Sequence, residues 1–316
     1  MKIATQLQLA RLRQKAIHLE REAGFKSLIH FANVYFSHHV SKPVSRMHKE
    51  LYPLLEQLIA EPGARIAVAA PRGSAKSTLV SLLFVLWCIC YRRKRFIVII
   101  SDTADKAQGF LDEVKQELVV NRHLIEAFPE VCEQGGTYPR PPRWRAGEII
   151  TNNGIKVMAQ GWGQNLRGQR HGAHRPDLIL LDDVESADNT HSSEMRQKVD
   201  AWFNRTVLKA GTPSSHVIVV GTIQHYDSLL AKLTDPAKSP TWRSRIYRSI
   251  SKWSANADLW QKWASILRKR ETYKGTEGPE AARRYFEDHS KAMLKGTEVL
   301  WPEVEDYYTL MLMRET

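Results

Sequence analysis

Short, unbroken apolar runs punctuate this chain: Ile66-Ala-Val-Ala-Ala70, Phe96-Ile-Val-Ile-Ile100, Leu178-Ile-Leu-Leu181 and Val217-Ile-Val-Val220. Alternating apolar and polar positions mark a strand with one wet face. Continuous apolar runs mark strands covered on both faces, as in a parallel sheet. Ile155-Lys-Val-Met-Ala159 is a further strand candidate. Between the first two runs lies Leu79-Val-Ser-Leu-Leu-Phe-Val-Leu-Trp-Cys-Ile-Cys90, nearly all apolar and closed by Tyr91-Arg-Arg-Lys-Arg95. It is too short to cross a bilayer, which takes ~20 residues. Its length and basic end suit a buried helix whose last turn meets cations. A second helix is predicted from Asp105 to Glu117. Strand, loop, helix and strand in succession predict an α/β fold with a parallel sheet flanked by helices.

The chemistry sits where these runs end. After the first strand, Ala70-Pro-Arg-Gly-Ser-Ala-Lys-Ser77 fits the phosphate-loop pattern G-x-x-x-x-G-K-[ST] in length and ending, with alanine replacing both outer glycines. Backbone N–H groups of such a loop wrap a phosphate at a helix N-terminus, and a lysine reaches the outer phosphates. Pro71, Arg72, Gly73, Ser74, Ala75, Lys76, Ser77 and Thr78 are therefore candidate ATP-binding residues. The Ser77 hydroxyl is placed to hold Mg²⁺, a hard cation that keeps oxygen ligands. Asp177-Leu-Ile-Leu-Leu-Asp-Asp-Val-Glu185 delivers carboxylates to the end of another strand, where ligands bind in open α/β sheets. Asp182 is assigned to Mg²⁺, and Asp183 or Glu185 to the attacking water. Asp183 holds the more usual position. Glu185 has the longer reach and the more usual side chain, and is slightly favoured. Gly221-Thr222, ending the last apolar run, is placed to sense a γ-phosphate and couple it to neighbouring elements.

Charge points to a polyanion. Lys plus Arg number 46 against 34 Asp plus Glu, a net charge of +12, which favours nucleic acid over a lipid surface. Cys88, Cys90 and Cys132 follow no disulfide or metal-ligand spacing, which suits a reducing cytosol. His171 and His174 lack acidic or cysteine partners in metal spacing. No secretory leader is read at the N-terminus.

Three segments are expected: a helical lid over residues 1–60, a P-loop core over 61–250 and a helical, Trp-rich linker over 251–316. The helix around Arg46 and His48 leads into the first strand, making both candidates for contact with the adenine. Residues 133–147, with Arg140, Arg143, Trp144 and Arg145, read as an exposed loop suited to a phosphate backbone.

Pro71-Arg-Gly-Ser-Ala-Lys-Ser-Thr78, Leu166-Arg-Gly168 ahead of Arg175-Pro-Asp-Leu-Ile-Leu-Leu-Asp-Asp183, Gly221-Thr222 and Met293-Leu-Lys-Gly-Thr-Glu-Val-Leu-Trp-Pro302 together resemble the large subunit of tailed-phage terminases, motors that pump viral DNA into a preformed shell. The resemblance runs from about Ser45 to the C-terminus. It implies a RecA-like (ASCE) ATPase using ATP and Mg²⁺, with Arg72 as an additional phosphate-binding arginine. It also implies that Arg167 is a finger reaching the neighbouring subunit's γ-phosphate, with Arg170 as the fallback. Expected partners are double-stranded DNA, the portal protein, the small terminase subunit and further copies of this chain in a ring, in the host cytoplasm and without membrane contact. The family's usual nuclease domain finds no counterpart strand here, so nuclease activity is not expected of this chain. A helicase or recombination motor on single strands shares the same hydrolytic residues. A nucleic-acid-binding scaffold without hydrolysis is the other alternative.

Overall fold

The computed structural model describes residues 2–132 and 144–315. The backbone divides into two units, residues 1–41 with 48–246 and residues 42–47 with 247–316.

In the first unit the described strands β1 (Arg65–Ala69), β2 (Phe96–Ser101), β3 (Trp144–Arg145), β4 (Glu148–Ile150), β5 (Lys156–Gly161), β6 (Leu178–Asp182), β7 (His216–Gly221) and β8 (Arg243–Ile246) form one sheet. Their order is β3-β4-β5-β2-β6-β7-β1-β8. From β5 to β8 every pairing is parallel. The outer pairings of β3 with β4 and β4 with β5 are antiparallel. Every residue of β2, β6 and β7 is buried, as their unbroken apolar runs require. Residues 144–147 therefore depart from the expected loop: Trp144 and Arg145 pair with Ile149 and Glu148 across a short hairpin, and both stay exposed. Arg140 and Arg143 lie outside the described residues.

The strand order decides where the chemistry falls. β7 inserts between β1 and β6, so the strand feeding the small-residue loop and the strand ending in acids are separated by one strand. This interposed strand gives the sheet the RecA-like order. Register pairs Ala69 with Gly221 and Asp182 with Val220, so the C-terminal ends of all three strands finish level.

The loop after β1 opens a helix at Lys76 that runs to Cys90. Its Thr78–Leu83 stretch is π-helical and Phe84–Cys90 is α-helical. Every side chain from Leu79 to Cys90 is buried, and Cys88 and Cys90 are free thiols within it. After β2, helix Ala104–Val120 begins with Thr103 accepting the Lys106 amide, an N-cap that satisfies one orphan donor. Helices Lys2–Lys26 and Leu28–Tyr35 belong to this unit. The first of them is held by the Trp87 indole donating to Gly24 O and Tyr91 OH donating to Arg21 O.

The second unit packs helices Ala257–Leu267, Gly278–Met293 and Tyr307–Glu315 around Trp260, Trp263, Tyr285 and Met293. Strands β9 (Ile250–Lys252) and β10 (Glu298–Val299) pair antiparallel beside them. Among the described residues no helix is long and apolar enough to cross a membrane.

Candidate active site

The loop after β1 turns twice through left-handed backbone, at Gly73 (φ 74°) and Ala75 (φ 57°). Gly73 meets nothing within 4 Å of where a Cβ would stand, so conformation rather than space favours glycine there. Ala75 occupies the second glycine position of the loop pattern, and its positive φ is the physical reason that position prefers glycine. The Ser74 hydroxyl closes the turn on Pro71 O at 2.7 Å. Gly73, Ser74 and Ala75 bring only small side chains to the cleft that the loop lines.

Lys76 is nearly buried, and its ammonium lies 3.1 Å from Asp183 Oδ2. Ser77 and Ser81, one helical turn apart, both donate to Asp182, at 2.9 Å to Oδ1 and 2.5 Å to Oδ2. Ser81 was not singled out from the sequence. The available signal was the one hydroxyl in the apolar stretch from Leu79 to Cys90, four residues after Ser77. The Asp182 carboxylate is fully buried at the end of β6, and burial pushes its pKa from 3.8 to about 6 against the two hydroxyl hydrogen bonds. It is a carboxylate in short supply of positive charge.

The next residue breaks from the strand. Asp183 sits at φ 44°, a left-handed turn that Asp tolerates better than most residues. This turn removes it from simple alternation and aims its carboxylate between Lys76 and the Thr222 amide, which donates to Oδ1 at 3.0 Å. Thr222 also donates through its hydroxyl to Ala70 O at 3.1 Å, tying the end of β7 to the start of the loop. Gly221 leaves room for this: a Cβ there would lie 3.1 Å from Asp183 Oδ1 and 3.2 Å from Leu230 Cδ2.

Glu185 is held differently. Its two oxygens accept the amides of Leu229 and Leu230 at 2.6 and 2.9 Å, at the start of helix Leu229–Leu233. Burial raises its pKa, with those amides pulling the other way.

Arg72, Gly73, Ser74, Ala75, Lys76, Ser77, Asp183 and Glu185 line one cleft of about 440 Å³, together with Asp102, Lys106, Ser186 and Gln224. Asp102 and Lys106 form a 2.6 Å ion pair at its rim, and sequence reading had not selected either. Pro71, Thr78, Gly221 and Thr222 stand beside the cleft without lining it. Arg167 lies elsewhere, exposed on the loop before β6, where its guanidinium donates to Arg205 O at 3.1 Å. Arg170 is exposed on the same loop. His48 does not line the cleft; it is buried in helix Arg46–Ala60, and burial lowers its pKa to about 4, keeping the imidazole neutral.

No protein-family model matches this chain, and no curated protein matches it. Among solved structures it is similar to the ATPase domain of the large terminase of Thermus phage P74-26. The two share 14% identity, with 82% of this chain and 97% of that chain covered and a TM-score of 0.39. A point mutant of that phage domain aligns at 14% identity over 74% of this chain and 90% of its own length, with a TM-score of 0.43.

Proposed function

We propose that this chain is the ATP-hydrolysing motor portion of a phage terminase large subunit, which couples hydrolysis to the movement of double-stranded DNA. The observation that carries the reading is the meeting of Lys76, Ser77, Asp182 and Asp183 at level strand ends, with β7 between the loop strand and the acid strand. Nucleotide and Mg²⁺ fit this donor set. A buried ammonium, loop amides in left-handed turns and Arg72 supply the positive side, and a hydroxyl paired with a charge-poor carboxylate supplies oxygen ligands. In this reading Ser77 and Asp182 hold Mg²⁺, which neutralises phosphate charge when bound. A triphosphate competes with Asp183 for the Lys76 ammonium. That exchange frees the Asp183 carboxylate, already at the cleft and partly exposed, to orient water. Glu185 is less suited to that task, because both its oxygens are committed to backbone amides. Arg167, exposed on its loop, is assigned as the finger offered to a neighbouring copy. Gly221 and Thr222 transmit the state of Asp183 to the loop.

Phosphate release from ATP, measured with and without duplex DNA, tests the reading. Turnover is expected to exceed background, and background rates under both conditions would overturn it in favour of a non-hydrolysing scaffold. Unwinding of duplex, or stimulation by single strands alone, would favour a helicase.

The two acids separate by a pair of variants. Asp183→Asn is expected to lower turnover by about 10²–10⁴-fold, the usual weight of a general base, with the fold retained. Glu185→Gln puts an NH₂ group against two amide donors and leaves at least one without an acceptor. It is expected to cost about 1–3 kcal/mol of stability, read in chemical denaturation. The opposite pattern, with stability falling in the first and chemistry alone in the second, reassigns the water to Glu185.

Duplex DNA affinity is expected to drop by roughly 10³ or more between low and moderate salt, because cationic side chains release condensed counterions. Salt-independent binding, measured by fluorescence anisotropy, removes the phosphate backbone as the partner.

A further inference from the structure

A second constellation stands apart from the cleft, at the other end of helix Ala104–Val120. Residues 36–40 form a tight turn in which the amides of His39 and Val40 both donate to Phe36 O. The turn points two consecutive imidazoles at one carboxylate. His38 Nε2 and His39 Nε2 each lie 2.9 Å from Glu117 Oε1, and the three donor atoms fall within 4.8 Å of one another. Glu117 is nearly buried, with a side-chain exposure of 10%, whereas His38 is open to solvent at 54%.

We propose that His38, His39 and Glu117 form a binding site for a divalent transition-metal cation of the zinc class. Two imidazole nitrogens and one carboxylate oxygen are a sufficient protein set for Zn²⁺, with water as fourth ligand on the exposed side. The imidazole content favours this class over Mg²⁺ or Ca²⁺, which select oxygen. Metal–ligand bonds of about 2.0–2.1 Å in a tetrahedron separate neighbouring ligand atoms by about 3.3 Å. Each imidazole–carboxylate pair, 2.9 Å apart, needs to widen by only a few tenths of an ångström, and His38 is exposed on the solvent side. Each ring then presents its Nε2 lone pair inward and carries its proton on Nδ1.

The carboxylate is braced as metal ligands usually are. Asn121, one turn further along, donates through Nδ2 to Glu117 Oε2 at 2.7 Å and to Tyr35 O at 2.8 Å, while its Oδ1 accepts the Leu124 amide. Every polar atom of that amide is used, so the second carboxylate oxygen is fixed and the first is left for the imidazoles. Glu113, one turn earlier, adds negative charge near His39 and Glu117. A cation here staples the turn after helix Leu28–Tyr35 to a helix whose first turn carries Lys106, paired with Asp102 at the cleft.

The test uses the full chain without nucleotide. Equilibrium dialysis with Zn²⁺ is expected to give one stoichiometric site, and saturation should raise the melting temperature by several degrees through mass action. Substituting Co²⁺ should give the intense visible ligand-field bands of a four-coordinate nitrogen–oxygen site. His38→Ala/His39→Ala and, separately, Glu117→Gln should abolish the bands and the melting shift. Asn121→Ala should weaken Zn²⁺ binding by about 10–100-fold. Absence of stoichiometric Zn²⁺ in the wild-type chain overturns the proposal, as does a double-histidine variant that binds Zn²⁺ as tightly as wild type.

Discussion

Lys76→Ala is expected to reduce ATP turnover at least ~10³-fold while the protein still folds. Removing a single preorganised donor from a transition state costs about 10²–10³ in rate, and a full positive charge beside a transferring phosphoryl group counts for more. The structure adds a reason specific to this chain. The Lys76 side chain is 5% exposed and has Asp183 as its ion partner at 3.1 Å, so it is held at the cleft before any phosphate arrives. Folding should tolerate the loss. Asp183, with 41% of its side chain exposed, keeps the Thr222 amide and gains water in place of the ammonium. The melting temperature should therefore move by only a few degrees. Lys76→Arg keeps the charge but not the compact point-like head, and should recover little activity. Phosphate release is the readout, with a fluorescent nucleotide analogue reporting binding. Turnover of Lys76→Ala within tenfold of wild type would remove the site assignment.

The parts of this arrangement that depend on local sequence were the readable ones. Strands buried on both faces must be apolar throughout, so β1, β2, β6 and β7 announced themselves as unbroken runs. The helix after β2 was placed nearly in full: the expected Asp105 to Glu117 falls inside Ala104–Val120, which Thr103 caps. β8 was not readable: its Arg-Ser-Arg-Ile sequence is half exposed at the sheet edge, where burial imposes no apolar pattern. Strand order was equally hidden. Whether β7 lies beside β1 or at the far edge depends on packing between segments more than a hundred residues apart.

Within the site, the loop residues at 72–77 and the acids at 183 and 185 were selected as types, and they line one cleft. Their individual duties depended on backbone detail no spacing rule carries. The left-handed turn at Asp183 sends consecutive acids to different partners, Asp182 to two serines and Asp183 to Lys76. The commitment of Glu185 to Leu229 and Leu230 involves a helix start over forty residues away. The His38–His39 pair escaped for a similar reason. Its carboxylate partner comes from position 117, and short-range metal spacing cannot see it.

Asp182→Asn is expected to make the metal-free protein more stable and nearly inactive. The wild-type carboxylate is fully buried, and its pKa rises from 3.8 to about 6 chiefly through burial, opposed by the Ser81 and Ser77 hydroxyls. A carboxyl group whose folded pKa lies above its unfolded value stabilises the fold through its protonated form. That contribution is complete below 3.8 and is lost as pH rises through about 6. At neutral pH the metal-free chain therefore carries a buried charge costing about 3 kcal/mol at most. Asparagine keeps an oxygen to accept from one serine and removes the charge, for an expected net gain of about 1–2 kcal/mol after loss of the charge-assisted hydrogen bond. The gain should shrink on acidification toward pH 4, where the wild-type group is largely protonated. Adding Mg²⁺ with nucleotide should reverse the order, because only the wild-type chain gains from binding a cation at that carboxylate. Turnover should fall by about 10³, in line with loss of a fixed electrostatic contact to the reacting phosphates. Denaturant melts at several pH values, with chelator and then with Mg²⁺ and nucleotide, carry the test. An Asp182→Asn protein less stable than wild type at neutral pH in chelator would show that Asp182 is not a buried charge awaiting a cation, and undiminished turnover would take the metal away from it altogether.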